Sequence, residues 1–137
     1  MKRFIIPGVL MLTFGAVDAM AGCDAPSTQV TQLQDLLGGN TVCATRGSDR
    51  WQEEHRAGGQ LWDYKRGPSH KVDPSKQLGS WSVGGVDDSE VTYNYTAFGS
   101  PVSYTFTVFD NGNGTYSFCE GAAENIVATI QGSPQCQ

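Results

Sequence analysis

The residues with chemistry nearest to hand are Glu53-Glu54-His55-Arg56. On an extended strand Glu53 and His55 point to the same side, because successive side chains alternate. A carboxylate beside an imidazole is the start of a metal site or of an acid–base pair. Here it is only a start. No Cys/His spacing elsewhere in the chain adds the further ligands that zinc requires. The expectation for this stretch is therefore a solvated, charged face. Asp63 is a third group that could act on a bound molecule, but no full catalytic constellation accompanies it. His70 sits in a Pro-rich loop and is expected at the surface. Nucleophilic catalysis has no support: there is no Gly-x-Ser-x-Gly, and no free thiol remains if the cysteines pair. Asp110-Asn111-Gly112-Asn113-Gly114 lacks the acidic spacing and closing glutamate of a calcium loop and reads as a turn.

Aromatic side chains are the second chemical feature. Trp62 and Tyr64 share one strand face, Tyr93 and Tyr95 share another with Val91, and Tyr104 and Phe106 a third with Val102 and Val108. If these faces line an interior, the phenol hydroxyls need partners there, and a row of them builds an amphipathic pocket. The competing expectation is a filled core of cross-strand aromatic pairs. Both expectations rest on the same six residues: Trp62, Tyr64, Tyr93, Tyr95, Tyr104 and Phe106.

The elements that must position them are strands. From Leu78 to Cys119 large apolar residues recur at every second position, the period of a strand with two distinct faces. Thr41 to Thr45 reads as the first strand. Arg50 to Arg56 and Gln60 to Arg66 read as a hairpin through Ala57-Gly58-Gly59, since a Gly-Gly pair between alternating runs is a hairpin signal; a short helix over 49–57 is the alternative. Gly67 to Lys76 is a loop, and Gly84 to Ser89 and Ala97 to Pro101 are turns. Asn125 to Gln131 is the last strand. One helix is expected over 27–37, with Val30, Leu33 and Leu37 on one stripe, Ser27 or Thr28 at its start and Gly38-Gly39 at its end. Such a helix belongs at the mouth of a barrel or the edge of a sheet. The fold class is mainly β: about eight antiparallel strands in a meander, closing into a small barrel, with one N-terminal helix. A two-sheet sandwich is the alternative.

Residues 1–21 read as a secretory signal peptide, with Lys2 and Arg3, an apolar run from Phe4 to Val17, and a small-x-small site at Ala19-Met20-Ala21. Residues 22–137 form the single expected domain. Its four cysteines, Cys23, Cys43, Cys119 and Cys136, suggest two disulfides in an exported protein. Three pairings are possible. In a closed meander the first and last strands are neighbours, which favours Cys43 with Cys136 and leaves Cys119 for Cys23. Met20-Ala21-Gly22-Cys23 also approaches a lipoprotein box, but lipidating Cys23 would leave an odd thiol. The formal charge of the whole chain is −5, and removal of 1–21 takes it to −6. That balance disfavours nucleic acid and anionic membrane surfaces as partners and suits a soluble exported protein. No metal, cofactor or membrane span is expected, and the chain is expected to be a monomer.

The order Leu37-Gly38-Gly39-Asn40-Thr41-Val42, then Trp51, Gly58-Gly59 and Gly79-Ser80-Trp81, followed by a strand-rich tail, resembles the small lipocalin-like domains exported by Proteobacteria. Gly79-x-Trp81 is similar to the Gly-x-Trp of calycins, whose tryptophan closes one barrel end. The resemblance implies a barrel with room for a small apolar ligand and transfers no catalytic residue. Three functions stand open on these observations. The first is a binding module for an apolar or amphipathic molecule. The second is an interaction module, such as an inhibitor of an envelope hydrolase, working through the loop Gly67 to Lys76. The third is a small barrel enzyme of isomerase type.

Overall fold

A strand pattern this regular leaves unpaired edges unless the sheet closes on itself, and here it does. The computed structural model describes residues 23, 28–63, 76–121, 123–132 and 136. Eight strands run in chain order: β1 (Asn40–Arg46), β2 (Asp49–Arg56), β3 (Gln60–Asp63), β4 (Lys76–Gly84), β5 (Glu90–Tyr95), β6 (Val102–Asp110), β7 (Tyr116–Glu120) and β8 (Ala123–Gly132). Each pairs antiparallel with the next, and β8 pairs with β1 to complete a closed barrel. The expected hairpin is present: Glu54 faces Trp62 and His55 faces Leu61 across a turn in which Gly58 and Gly59 take positive φ. Tyr64 to Arg66, the loop 67–75 with His70, and residues 1–22 lie outside the described residues.

The helix differs from expectation. α1 spans only Leu33–Leu37. Val30 is extended instead: its N–H bonds the Val108 carbonyl at 2.8 Å, and Gln29 bridges to Phe109. Gln32, at φ 54, turns the chain from that docked segment into the helix with no side-chain cap. A three-turn helix is marginal by itself, and the backbone of its first half finds partners on β6. What survives lies across one end of the barrel, the base. Leu33 and Leu37 are fully buried there, in the same cluster as Trp81, Val91 and Val108. The Gly39 N–H bonds the His55 carbonyl at 2.8 Å, tying the helix end to β2.

Gly79 and Trp81 lie on β4. The register between β3 and β4 shifts between Leu61 and Trp62, which makes Leu78 an extra residue on β4. On the other side of β4, β5 comes so close that a Cβ on Gly79 would overlap the Asn94 carbonyl. Trp81 points inward, and its indole N–H donates to the Arg56 carbonyl at 3.1 Å. The disulfides join Cys23 to Cys119 and Cys43 to Cys136. The bridges fasten Cys23 to β7 and Cys136 to β1. At the C-terminal end the Cys136 N–H also donates to Gln52 Oε1 at 2.9 Å. Two disulfides fit an oxidising compartment. Among the described residues no helix is long and apolar enough to cross a membrane.

Candidate functional site

Strand alternation sorts the interior into two halves. Toward the base, Leu33, Leu37, Leu61, Trp81, Val91 and Phe118 fill the barrel. Toward the other end, the mouth, a cavity of about 630 Å³ opens among side chains of β1, β2, β5, β6, β7 and β8. The barrel is thus both things the aromatic faces allowed, a packed core below and a pocket above.

His55 sits at the boundary and is fully buried. Its Nδ1 lies 3.1 Å from the Glu53 carbonyl, which can only accept, so Nδ1 carries the proton. Nε2 then accepts from the Tyr93 hydroxyl at 2.9 Å. The rings of Trp81 and Tyr93 meet it edge-on at 5.0 and 5.4 Å between centroids. Burial pushes its pKa down to about 4, so it is a neutral imidazole at neutral pH. His55 is a satisfied core residue between base and cavity.

Glu53, two residues earlier, reaches the cavity itself. It is 7% exposed, and its Oε1 accepts a hydrogen bond from the Tyr95 hydroxyl at 2.8 Å. Burial pushes the carboxyl up to about 7; the Tyr95 bond opposes this, and nearby Asp63 adds to the rise. Asp63 is the cross-strand partner of Glu53 on β3. The solvated charged face expected for Glu53 and His55 is therefore corrected: both point inward. The strand period was right, but charge was a poor guide to side, because each group finds a tyrosine hydroxyl inside.

Rings continue from this floor to the rim. Tyr93 contacts Tyr95 and Phe106, Tyr95 contacts Tyr104 and Phe98, and Tyr104 stacks on Phe106 at 6.3 Å. Tyr93 is buried below the cavity, whereas Tyr95, Tyr104 and Phe106 line it. Tyr104 is 44% exposed at the mouth. Trp62 does not join them. It alternates with inward Leu61 and Asp63, lies on the outer face under the Arg56 guanidinium at 4.0 Å, and donates to Gln60 Oε1. Tyr64 lies outside the described residues.

Sequence reasoning missed Trp51, Phe98 and Ile126, which also line the cavity, as does Val102 from the Tyr104 and Phe106 face. Trp51 was legible in principle, standing two before Glu53 and four before His55 on one strand face. Ile126 alternates with Ala128 and Ile130 in the same way. Phe98 lies in a turn, where no period applies. The rim carries Arg46, Asp49, Arg50 and Glu120, both charge signs together. Among the described residues no three His, Cys, Asp or Glu side chains group as a metal site. The arrangement can enclose a small molecule against aromatic rings and present it with one buried carboxyl.

Comparison with protein-family models, with curated proteins and with solved structures gives no match.

Proposed function

We propose that this protein is an exported binding module that holds a small amphipathic molecule at the mouth of its barrel. The observation that carries the reading is the cavity of about 630 Å³, within the size range of small-molecule sites, with rings on its wall and the Glu53 carboxyl on its floor. A closed barrel is the fold that the lipocalin-like resemblance implies. Residues 1–21 act as the signal peptide in this reading, and the disulfides favour a periplasmic or extracellular location. The interaction-module reading rests on the loop Gly67 to Lys76, of which 67–75 lie outside the described residues and Lys76 opens β4, and it has no observation of its own. The enzyme reading loses His55, which is walled off from the cavity.

The test is saturable binding of a neutral apolar fluorophore, N-phenyl-1-naphthylamine, to the oxidised protein. One site per chain is expected. Tyr104→Ala removes ring surface from the wall and should weaken binding about tenfold. Thr105→Ala, next in sequence but on the outer face, should leave it unchanged. No saturable binding, or equal losses in both variants, would overturn the reading.

A further inference from the structure

We infer that Asn113 is a site of covalent self-modification: its side-chain amide is displaced by the Gly114 nitrogen and hydrolysed, while Asn111 in the same turn is protected. The inference is independent of the binding reading. The turn Asp110-Asn111-Gly112-Asn113-Gly114 holds two Asn-Gly pairs. It joins β6 to β7 at the ends of those strands remote from Val102 and Glu120, which line the cavity. A glycine after asparagine leaves its own nitrogen uncrowded, since no Cβ shields it. By residue type the two pairs are equivalent, and their surroundings separate them.

In the step, the Gly114 nitrogen gives its proton to solvent and bonds to Asn113 Cγ. The Cγ–Nδ2 bond breaks, and the amine takes a proton from water and leaves as ammonia. Water then opens the cyclic imide at either carbonyl, giving aspartate or isoaspartate, with no change of oxidation state. The step needs a free nitrogen, a polarised carbonyl and an amine free to leave. Asn113 Oδ1 accepts from the Thr115 N–H at 3.1 Å and from the Thr115 hydroxyl at 2.6 Å. The N–H can only donate, which fixes the atom facing it as the oxygen. Negative charge develops on that oxygen during attack, and donors already aimed at it stabilise the charge. The ring closed by the Thr115 N–H bond contains the Gly114 nitrogen, so the side chain is folded toward its attacker. Asn113 is exposed, and among the described residues nothing bonds its Nδ2 or the Gly114 N–H.

Asn111 fails each requirement. The Gly112 N–H donates to Asp110 Oδ1 at 2.8 Å. An amide nitrogen attacks as its anion, which forms least readily beside a carboxylate. Asn111 Nδ2 donates to Thr115 Oγ1 and to Ser117 Oγ, both at 3.0 Å, so its amine is tethered. Its main chain is fixed too, because the Asn111 N–H bonds the Thr115 carbonyl at 3.0 Å and closes the hairpin. The Thr115 hydroxyl therefore acts on the two residues in opposite ways. It accepts from the amine of Asn111 and donates to the carbonyl of Asn113.

The experiment incubates the oxidised full-length protein in mildly alkaline buffer made with heavy-oxygen water, so that conversion before digestion carries a label. Chymotrypsin then releases the peptide from Asp110 to Tyr116 by cutting after Phe109 and Tyr116. Mass spectrometry with electron-transfer fragmentation assigns each converted residue and tells aspartate from isoaspartate. Asn113 should convert about tenfold faster than Asn111 in the folded protein. In the reduced chain unfolded by urea, where both pairs lose their partners, the two rates should become similar. Thr115→Val, with the circular dichroism of the parent, removes the hydroxyl that favours one residue and guards the other. It should bring the two rates to within about threefold of each other. Asn111 converting as fast as Asn113 in the folded protein, a preference for Asn113 that survives unfolding, or an unchanged ratio in Thr115→Val would overturn the assignment.

Discussion

Glu53 and His55 are two residues apart on one strand face, yet burial moves their pKa values toward each other's ordinary range. The Glu53 carboxyl keeps its proton to about pH 7 when folded and to about 4.5 when unfolded. Between those values the folded chain binds more protons than the unfolded one, so this contribution to stability is present below pH 4.5 and lost as pH rises toward 7. His55 acts in the opposite sense. Its pKa falls from 6.5 to about 4, so its contribution is present above pH 6.5 and lost as pH falls toward 4. The two oppose each other across mildly acidic pH. Glu53→Gln removes one and keeps the other. Relative to the parent, the variant should gain stability from pH 4.5 to 7, by on the order of 3 kcal/mol across the window. Urea midpoints measured through that range check this. Parallel profiles would mean that Glu53 titrates like an exposed carboxyl.

Among the elements, β4 holds the barrel's narrowest tolerance. Its bulge at Leu78 brings both Leu78 and Gly79 against the core side, and Gly79 sits under the Asn94 carbonyl of β5. Gly79 also precedes Trp81, whose ring meets His55 and whose N–H satisfies the Arg56 carbonyl. The spacing Gly-x-Trp therefore has a local cause: close strand approach at one residue, and a large inward ring that seats the base two residues on. Gly79→Ala forces β4 away from β5 and should cost about 2–4 kcal/mol. A chemical denaturation curve within experimental error of the parent would show that the strands part there without penalty. α1 shows the converse. Its stripe of Val30, Leu33 and Leu37 was legible, and Leu33 and Leu37 are buried as the stripe implied. Val30 left the helix because the backbone of a neighbouring strand was available.

At the scale of the whole molecule, the outward residues of the central strands are polar: Ser80 and Ser82 on β4, Thr92 and Asn94 on β5, Ser103 and Thr105 on β6. A barrel facing lipid has the opposite arrangement. The two disulfides span 96 and 93 residues and tie Cys23 to β7 and Cys136 to β1. Loops that long lose much entropy in the unfolded state when closed, so each bridge contributes roughly 2–4 kcal/mol. Replacing Cys43 and Cys136 by alanine should lower stability by about that amount while the closed sheet persists, since β1 and β8 still pair through their backbones. Thermal unfolding with circular dichroism reads both quantities. Loss of the strand signal in the native state would show that closure depends on the bridge.

The sequence by itself determined the strand periodicity and the shared faces Val91-Tyr93-Tyr95 and Tyr104-Phe106, and it favoured closure over a sandwich and the hairpin at Gly58-Gly59 over a helix. Alternation is a local property with a period of two, and it survives in the chain as written. It also favoured the disulfide pairing, because a closed meander makes its first and last strands neighbours. Which side of a strand faces in is not local where both faces carry polar groups. Glu53 and His55 read as solvated until Tyr95 and Tyr93, 42 and 38 residues away, supplied their partners. Trp62 read as a pocket residue until register with β2 set it outside. Tertiary structure alone decided how far the interior is filled, because that depends on summed side-chain volume at each level of the barrel. It placed Leu33, Leu37 and Trp81 across the base and left the mouth open above Glu53.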